Sequence, residues 1–225
     1  MGRTCYAMRI MMHGLQFWDD REARTPSGHM AMDEALLLGS DRPTIRFYRW
    51  SASAVTFGYA QKYWEVRVRA GGFPMIRRWT GGGVVFHGQD LTIAVAVPHG
   101  QELCRLKARL VYRKIHEAFL HSVKESLPGA RLADSGDCRP GAACFEAPTM
   151  DDILVGGRKI CGGALRRGKA GLLYQGSLHG TFSAPSLARS LFSHFETFKP
   201  NEEMLRHQSR LEREKYGTEA WNQMR

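Results

Sequence analysis

Asp151-Asp152-Ile153-Leu154-Val155, Arg158-Lys159-Ile160-Cys161-Gly162-Gly163-Ala164-Leu165 and Gly171-Leu172-Leu173-Tyr174-Gln175-Gly176-Ser177-Leu178-His179-Gly180 follow one another within thirty residues. Each is a short apolar run, and glycine-containing joints separate them, so residues 151–180 read as consecutive strands joined by tight turns. The same pattern recurs upstream. Residues 91–98 (LTIAVAVP), 84–87 (VVFH) and 73–79 (FPMIRRW) read as strands around the triple glycine 81–83, and 43–50 (PTIRFYRW) with 53–60 (SAVTFGYA) reads as a hairpin. Helical spacing appears in two places ahead of the tail. From Cys104 to Leu127 the apolar positions Leu106, Leu110, Val111, Ile115, Ala118, Phe119 and Val123 share a face, and residues 27–38 (SGHMAMDEALLL) form a second helix that Ser27 can cap. Strands cluster instead of alternating with helices, which predicts an α+β fold with mixed, largely antiparallel β-sheets flanked by helices.

The chain has 225 residues, 43% of them apolar, enough for one sizeable domain. We expect a single catalytic unit over 1–225, with its core at about 28–180 and a charged helical tail at about 185–225 read as solvated. Met1–Arg9 reads as a loose or edge-pairing arm. No run reaches the roughly 18 apolar residues of a membrane helix, and the first residues lack the apolar stretch of a secretory leader. A cytoplasmic location is therefore expected. Five cysteines form no CxxC pair and are odd in number, which argues against a disulfide framework or a structural zinc site. No HExxH or comparable ligand spacing occurs, so no metal is expected. The net charge of +10 calls for an anionic partner. Nucleic acid and an acidic carrier protein meet that need equally, although no helix-turn-helix or zinc-finger signature is present.

Two segments carry chemistry. In Arg78-Trp79-Thr80-Gly81-Gly82-Gly83-Val84-Val85-Phe86-His87, the glycines let the backbone approach a ligand, and Arg78 can hold a carboxylate, phosphate or thioester carbonyl. A plain glycine-rich turn with a half-buried histidine reads as well from these residues alone. In Gly141-Ala142-Ala143-Cys144-Phe145-Glu146-Ala147-Pro148, Cys144 lies among small residues. It is either an accessible nucleophile or a small core hydrophobe. Lys159, folded back beside it, would favour the thiolate and stabilise charge on an acyl oxygen. Cys104 stands at the opening of the predicted helix, where nothing else gathers.

Together, MAMDEALL (30–37), RRWTGGGVVFH (77–87), ACFEAPTMDDILVGGRKICGGAL (143–165) and LLYQGSL (172–178) resemble the lipoate–protein ligase A and octanoyltransferase family, in order, across residues 28–180. The resemblance implies a fold shared with biotin–protein ligases. It places a medium-chain acyl group between the glycine turn and Gly162-Gly163-Ala164, with Arg78, Thr80, Gly81, Gly82, Gly83, Val84, Val85 and His87 as its surroundings. It makes Cys144 the acyl-carrying nucleophile and aims Lys159 at the acyl carbonyl.

Cys144-Phe145-Glu146-Ala147-Pro148 and His87-Gly88-Gln89-Asp90-Leu91-Thr92 are similar to the cysteine-dependent octanoyltransferase branch, as is Tyr59. That branch moves octanoate from acyl carrier protein to a lysine of a lipoyl carrier domain (glycine cleavage H protein or 2-oxoacid dehydrogenase E2) and needs no cofactor. The alternative is a ligase using ATP and Mg through an acyl-adenylate. Neither nucleic acid nor a membrane is an expected partner. The chain departs from the branch pattern at Gly83 (commonly arginine), Gly88 (aspartate), Gly163 and Leu165 (serine and glutamine), and Tyr174 (glutamine or histidine).

Overall fold

In a computed structural model, which describes residues 14–138, 147–192 and 194–225, the described strands form two sheets. The larger contains β1 (Gln16–Asp20), β2 (Thr44–Tyr48), β6 (Leu91–Pro98), β7 (Arg131–Leu132), β8 (Ile153–Val155), β9 (Arg158–Gly168), β10 (Gly171–Leu178) and β11 (Glu196–Thr197). Its order is β11-β1-β2-β6-β10-β9-β8-β7. β1 runs parallel to β2 and β11, and every other pairing in it is antiparallel. The smaller sheet is β3 (Ala54–Phe57) between β4 (Met75–Arg77) and β5 (Val85–His87). The architecture is thus the expected mixed α+β one.

The predicted hairpin over 43–60 does not form. β2 lies inside the large sheet and β3 is the centre of the small one, so the polar joint at Ser51 carries the chain between sheets. Both runs are β-branched and aromatic, and local pattern cannot tell a turn back from a crossing.

Two layers of helix cover the large sheet. On one face, α3 (Ala108–Ser126) and α4 (Ala184–Leu191) bury Val111, Ile115, Phe119, Leu187 and Leu191 against Phe17, Phe47, Ile93 and Val95. The expected helix from Cys104 starts later, because Glu102–Arg105 forms a separate 3-10 turn. On the other face lies α1 (Pro26–Gly39), buried from Gly28 to Leu37. Its cap is Thr25, whose hydroxyl accepts from Gly28 N, with Pro26 in the first turn; Ser27 is already inside the helix.

The tail is not a solvated helix. α5 (Glu202–Leu211) and a wide turn over Glu212–Tyr216 pack on α1, burying Met204 and Tyr216, while α6 (Glu219–Asn222) packs on that turn and on β4. Glu34, on the acidic side of α1, accepts from Lys215 and Tyr216. Farther on, Arg77 donates to the carbonyls of Trp221 and Asn222, and to those of Tyr59 and Gln61 near the short helix α2 (Tyr63–Arg67). The tail therefore braces β4, the strand that leads into the glycine turn. No helix among the described residues is long and apolar enough to cross a membrane. Met1–Arg9 lies outside the described residues.

Candidate active site

Where the small sheet leans on β9 and β10 there is a narrow cavity of about 110 Å3. Its walls include Gly82, Gly83 and Val85 from the glycine turn, Gly162, Gly163 and Ala164 from β9, and Lys159 and Thr149. The turn and the strand segment expected to sandwich a ligand are thus brought together; a Cβ on Gly82 would lie 3.2 Å from that of Ala164.

A local irregularity aims Lys159 into this cavity. β8 pairs Ile153 with Cys161 but Leu154 with Lys159, so Ile160 is an extra residue on β9. Strict alternation would give Lys159 and Cys161 the same face. The bulge instead turns Lys159 to the side of Gly162, in the manner of bulges that re-aim a side chain beside a site. Its ammonium lies 2.8 Å from the Asp152 carboxylate, with the side chain only 6% exposed. Asp152 also accepts from Thr149 N at 2.7 Å, from the Thr149 hydroxyl at 3.0 Å and from the Tyr112 hydroxyl. Sequence reasoning named Asp152 without giving it a role, and missed Thr149 and Tyr112. Asp151 beside it has φ 70 and is buried, an uncommon backbone state for a residue with a side chain.

Arg78 lines the cavity, but its resolved bonds serve the turn itself. It donates to Gly81 O at 3.0 Å, Gly83 O at 2.7 Å and the Thr56 hydroxyl at 2.8 Å. Thr80 and Gly81 sit outside the cavity wall. Thr80 donates to Gln175, which donates in turn to Asp33. Val84 turns away to pack with Val55, Phe57 and Val66. His87 reaches the wall between Thr56 and Asp90. Gln175 and Ser177 of β10 line the cavity too. Their alternation with Leu172, Tyr174 and Leu178 was the signal that could have found them.

On the opposite face of β9 and β10, Tyr174 covers two glycines. A Cβ on Gly163 would come within 2.6 Å of its ring, and one on Gly176 within 2.3 Å of its hydroxyl. The two departures Gly163 and Tyr174 are therefore one change, a large ring lying over a residue without a side chain. Gly163→Ala is expected to destabilise the fold by about 2 kcal/mol through overpacking. Gly163→Ser combined with Tyr174→Gln should cost less than Gly163→Ser alone. A double-mutant cycle of urea denaturation measures both.

Tyr174 also meets His116, whose Nε2 lies 2.8 Å from its hydroxyl while Nδ1 lies 2.8 Å from Asp151 O. Burial lowers the His116 pKa to about 4. A folded pKa below the unfolded value of about 6.5 means full stabilisation above 6.5, lost as pH falls toward 4. The group contributes on the order of 3 kcal/mol. Denaturation midpoints should fall between pH 7 and 4.5, and less steeply in His116→Gln.

Cys161 and Cys104 are poor nucleophiles. Burial first, then the Asp152 charge, pushes the Cys161 thiol up to about 12. Burial also raises Cys104, which sits in the 3-10 turn with its sulfur toward Val97 O and Pro98 O. Cys144 lies outside the described residues.

Comparison with known proteins bears on this geometry. The lipoyl protein ligase A/B catalytic domain family matches residues 25–209. Octanoyltransferase LipM of Symbiobacterium thermophilum is 35% identical over 176 residues, 72% of this chain and 64% of that protein. Octanoyltransferase LipM of Staphylococcus aureus is 33% identical over 172 residues, 69% of this chain and 62% of that protein. The chain thus spans a little under two thirds of the length of these relatives. Among solved structures, lipoate-protein ligase A bound with ATP superposes with a TM-score of 0.74 at 22% identity, covering 94% of this chain and 99% of that one.

Proposed function

The chain belongs to the lipoyl protein ligase A/B catalytic domain family, and from that premise we propose that it is a protein octanoyltransferase working through a cysteine thioester. Octanoyl–acyl carrier protein is the donor, and a lysine of a lipoyl carrier domain is the acceptor. The Cys144 thiolate attacks the thioester carbonyl. The C–S bond to the donor breaks, the donor thiolate leaves and takes up a proton, and the octanoyl group is held on Cys144. The carrier lysine amine then attacks the new thioester, forming an amide and releasing the Cys144 thiol. No bond is oxidised and no nucleotide is consumed. Thioester-to-amide transfer runs downhill on its own.

The observation that carries this reading is the placement of Lys159. Its ammonium is fixed by Asp152 at 2.8 Å on the wall of a narrow cavity roofed by the glycine turn. A preorganised cation there stabilises the oxyanion that develops in both steps. The similarity to octanoyltransferases supports it further. The test supplies purified protein with octanoyl–acyl carrier protein and a lipoyl domain, and follows the mass of the domain with and without ATP. Octanoylation at equal rates with and without ATP is expected. Modification that requires ATP and free acid would replace this reading with the ligase one.

A further inference from the structure

The glycine turn has no side chains with which to hold its own shape. It rests flush on β3, where a Cβ on Gly58 would fall 1.9 Å from Gly82 O. From within, Arg78 gathers the Gly81 and Gly83 carbonyls. Behind Arg78 the hydrogen bonds run in single file. Arg78 reaches the Thr56 hydroxyl at 2.8 Å, Thr56 reaches His87 Nε2 at 2.7 Å, and His87 Nδ1 reaches Asp90 at 2.9 Å. Asp90 is fixed by Gly88 N, Thr92 and Ser177. Trp50 stacks on the imidazole with centroids 4.2 Å apart and is itself pinned to Thr92.

We infer that His87 is a positioning residue: as a neutral imidazole protonated on Nδ1, it orients the Thr56 hydroxyl and, through Arg78, sets the shape of the glycine turn. Arginine only donates, so Thr56 Oγ1 accepts from it. Oγ1 has one proton to give and His87 Nε2 is the acceptor it meets, so the arrangement that satisfies both groups leaves Nε2 bare. The ring proton therefore sits on Nδ1 and faces the carboxylate. A second ring proton would aim an N–H at Oγ1 and take away the acceptor of the hydroxyl proton. Burial opposes that charge as well and outweighs the bond to Asp90, and the neighbouring Arg78 and His179 oppose it further. The Thr-His-Asp line has the spacing of a nucleophilic triad, but Thr56 is fully buried and serves the arginine. The substrate consequence rests on the acyl-site reading; the hydrogen-bond order does not.

Two pairs of variants separate this role from plain packing. Thr56→Val removes the hydroxyl and Thr56→Ser keeps it. His87→Asn keeps a donor toward Asp90 but no acceptor toward Thr56, whereas His87→Gln keeps an acceptor at the Nε2 position and cannot titrate. Amide exchange at Gly81–Gly83 and KM for the octanoyl thioester of N-acetylcysteamine are measured at pH 7.5. Thr56→Val and His87→Asn should raise both about tenfold, the effect of one lost buried hydrogen bond. Thr56→Ser and His87→Gln should regain most of that loss. KM of the unmodified protein should rise as pH falls below the ordinary histidine range, and that rise should be absent from His87→Gln. A proton on Nε2 by nitrogen NMR at neutral pH would overturn the inference, as would His87→Asn outperforming His87→Gln in amide exchange. If the thioester is not turned over by any form while exchange follows the stated order, the acyl reading fails and the positioning role stands.

Discussion

Replacing Lys159 with methionine is expected to slow octanoyl transfer by about 10²- to 10³-fold, the range for removing one donor to a developing oxyanion. The fold should survive, because Asp152 keeps its bonds from Thr149 and Tyr112. A subtler variant makes the same point without touching the lysine. A Cβ at Gly162 would lie 2.1 Å from Lys159 Cε and 2.5 Å from its Nζ. The end of a lysine side chain can move, but this ammonium is paired with buried Asp152, so Gly162→Ala should displace it and lower stability by about 1–3 kcal/mol. Steady-state kinetics beside denaturation curves check both. An active Gly162→Ala protein with normal kcat would mean that the exact seat of the ammonium is irrelevant.

Cys144→Ala should have the larger effect, a loss of about 10⁴-fold or more, as for removal of a nucleophile elsewhere. The expectation comes from sequence context and from the burial of Cys161 and Cys104. Thr149, five positions on, lines the cavity and is tied to Asp152. Cys161 cannot substitute, being fully buried with its thiol pushed up to about 12. Cys104 is held toward backbone carbonyls beside β6. Transfer rates for Cys144→Ala, Cys161→Ala and Cys104→Ala measured side by side test this, and only the first should fall.

The strands of 91–98 and 151–180 were legible because alternation, glycine joints and length agree on one reading there. β2 and β3 were not, since a β-branched run carries no mark of which sheet it joins. The bulge at Ile160 was equally invisible, yet it decides which face Lys159 takes. Chemistry-bearing types were easier to pick than their partners. Arg78 looked like a ligand-holding cation; its resolved bonds to the turn go to the carbonyls of Gly81 and Gly83. Asp152, Thr56 and Asp90 are ordinary residues made important only by long-range packing. The tail's many charges mask its apolar stripe: Met204, Gln208 and Tyr216 recur at helical spacing and are buried.

The central claim is a covalent octanoyl-enzyme on Cys144, and intact mass spectrometry tests it most directly. Protein is mixed with octanoyl–acyl carrier protein, with no ATP and no acceptor, beside Cys144→Ala. The account predicts one octanoyl group on the unmodified protein, removed by hydroxylamine, and none on the variant. No adduct on either, with a carrier lysine modified only when free lipoate and ATP are added, would contradict it.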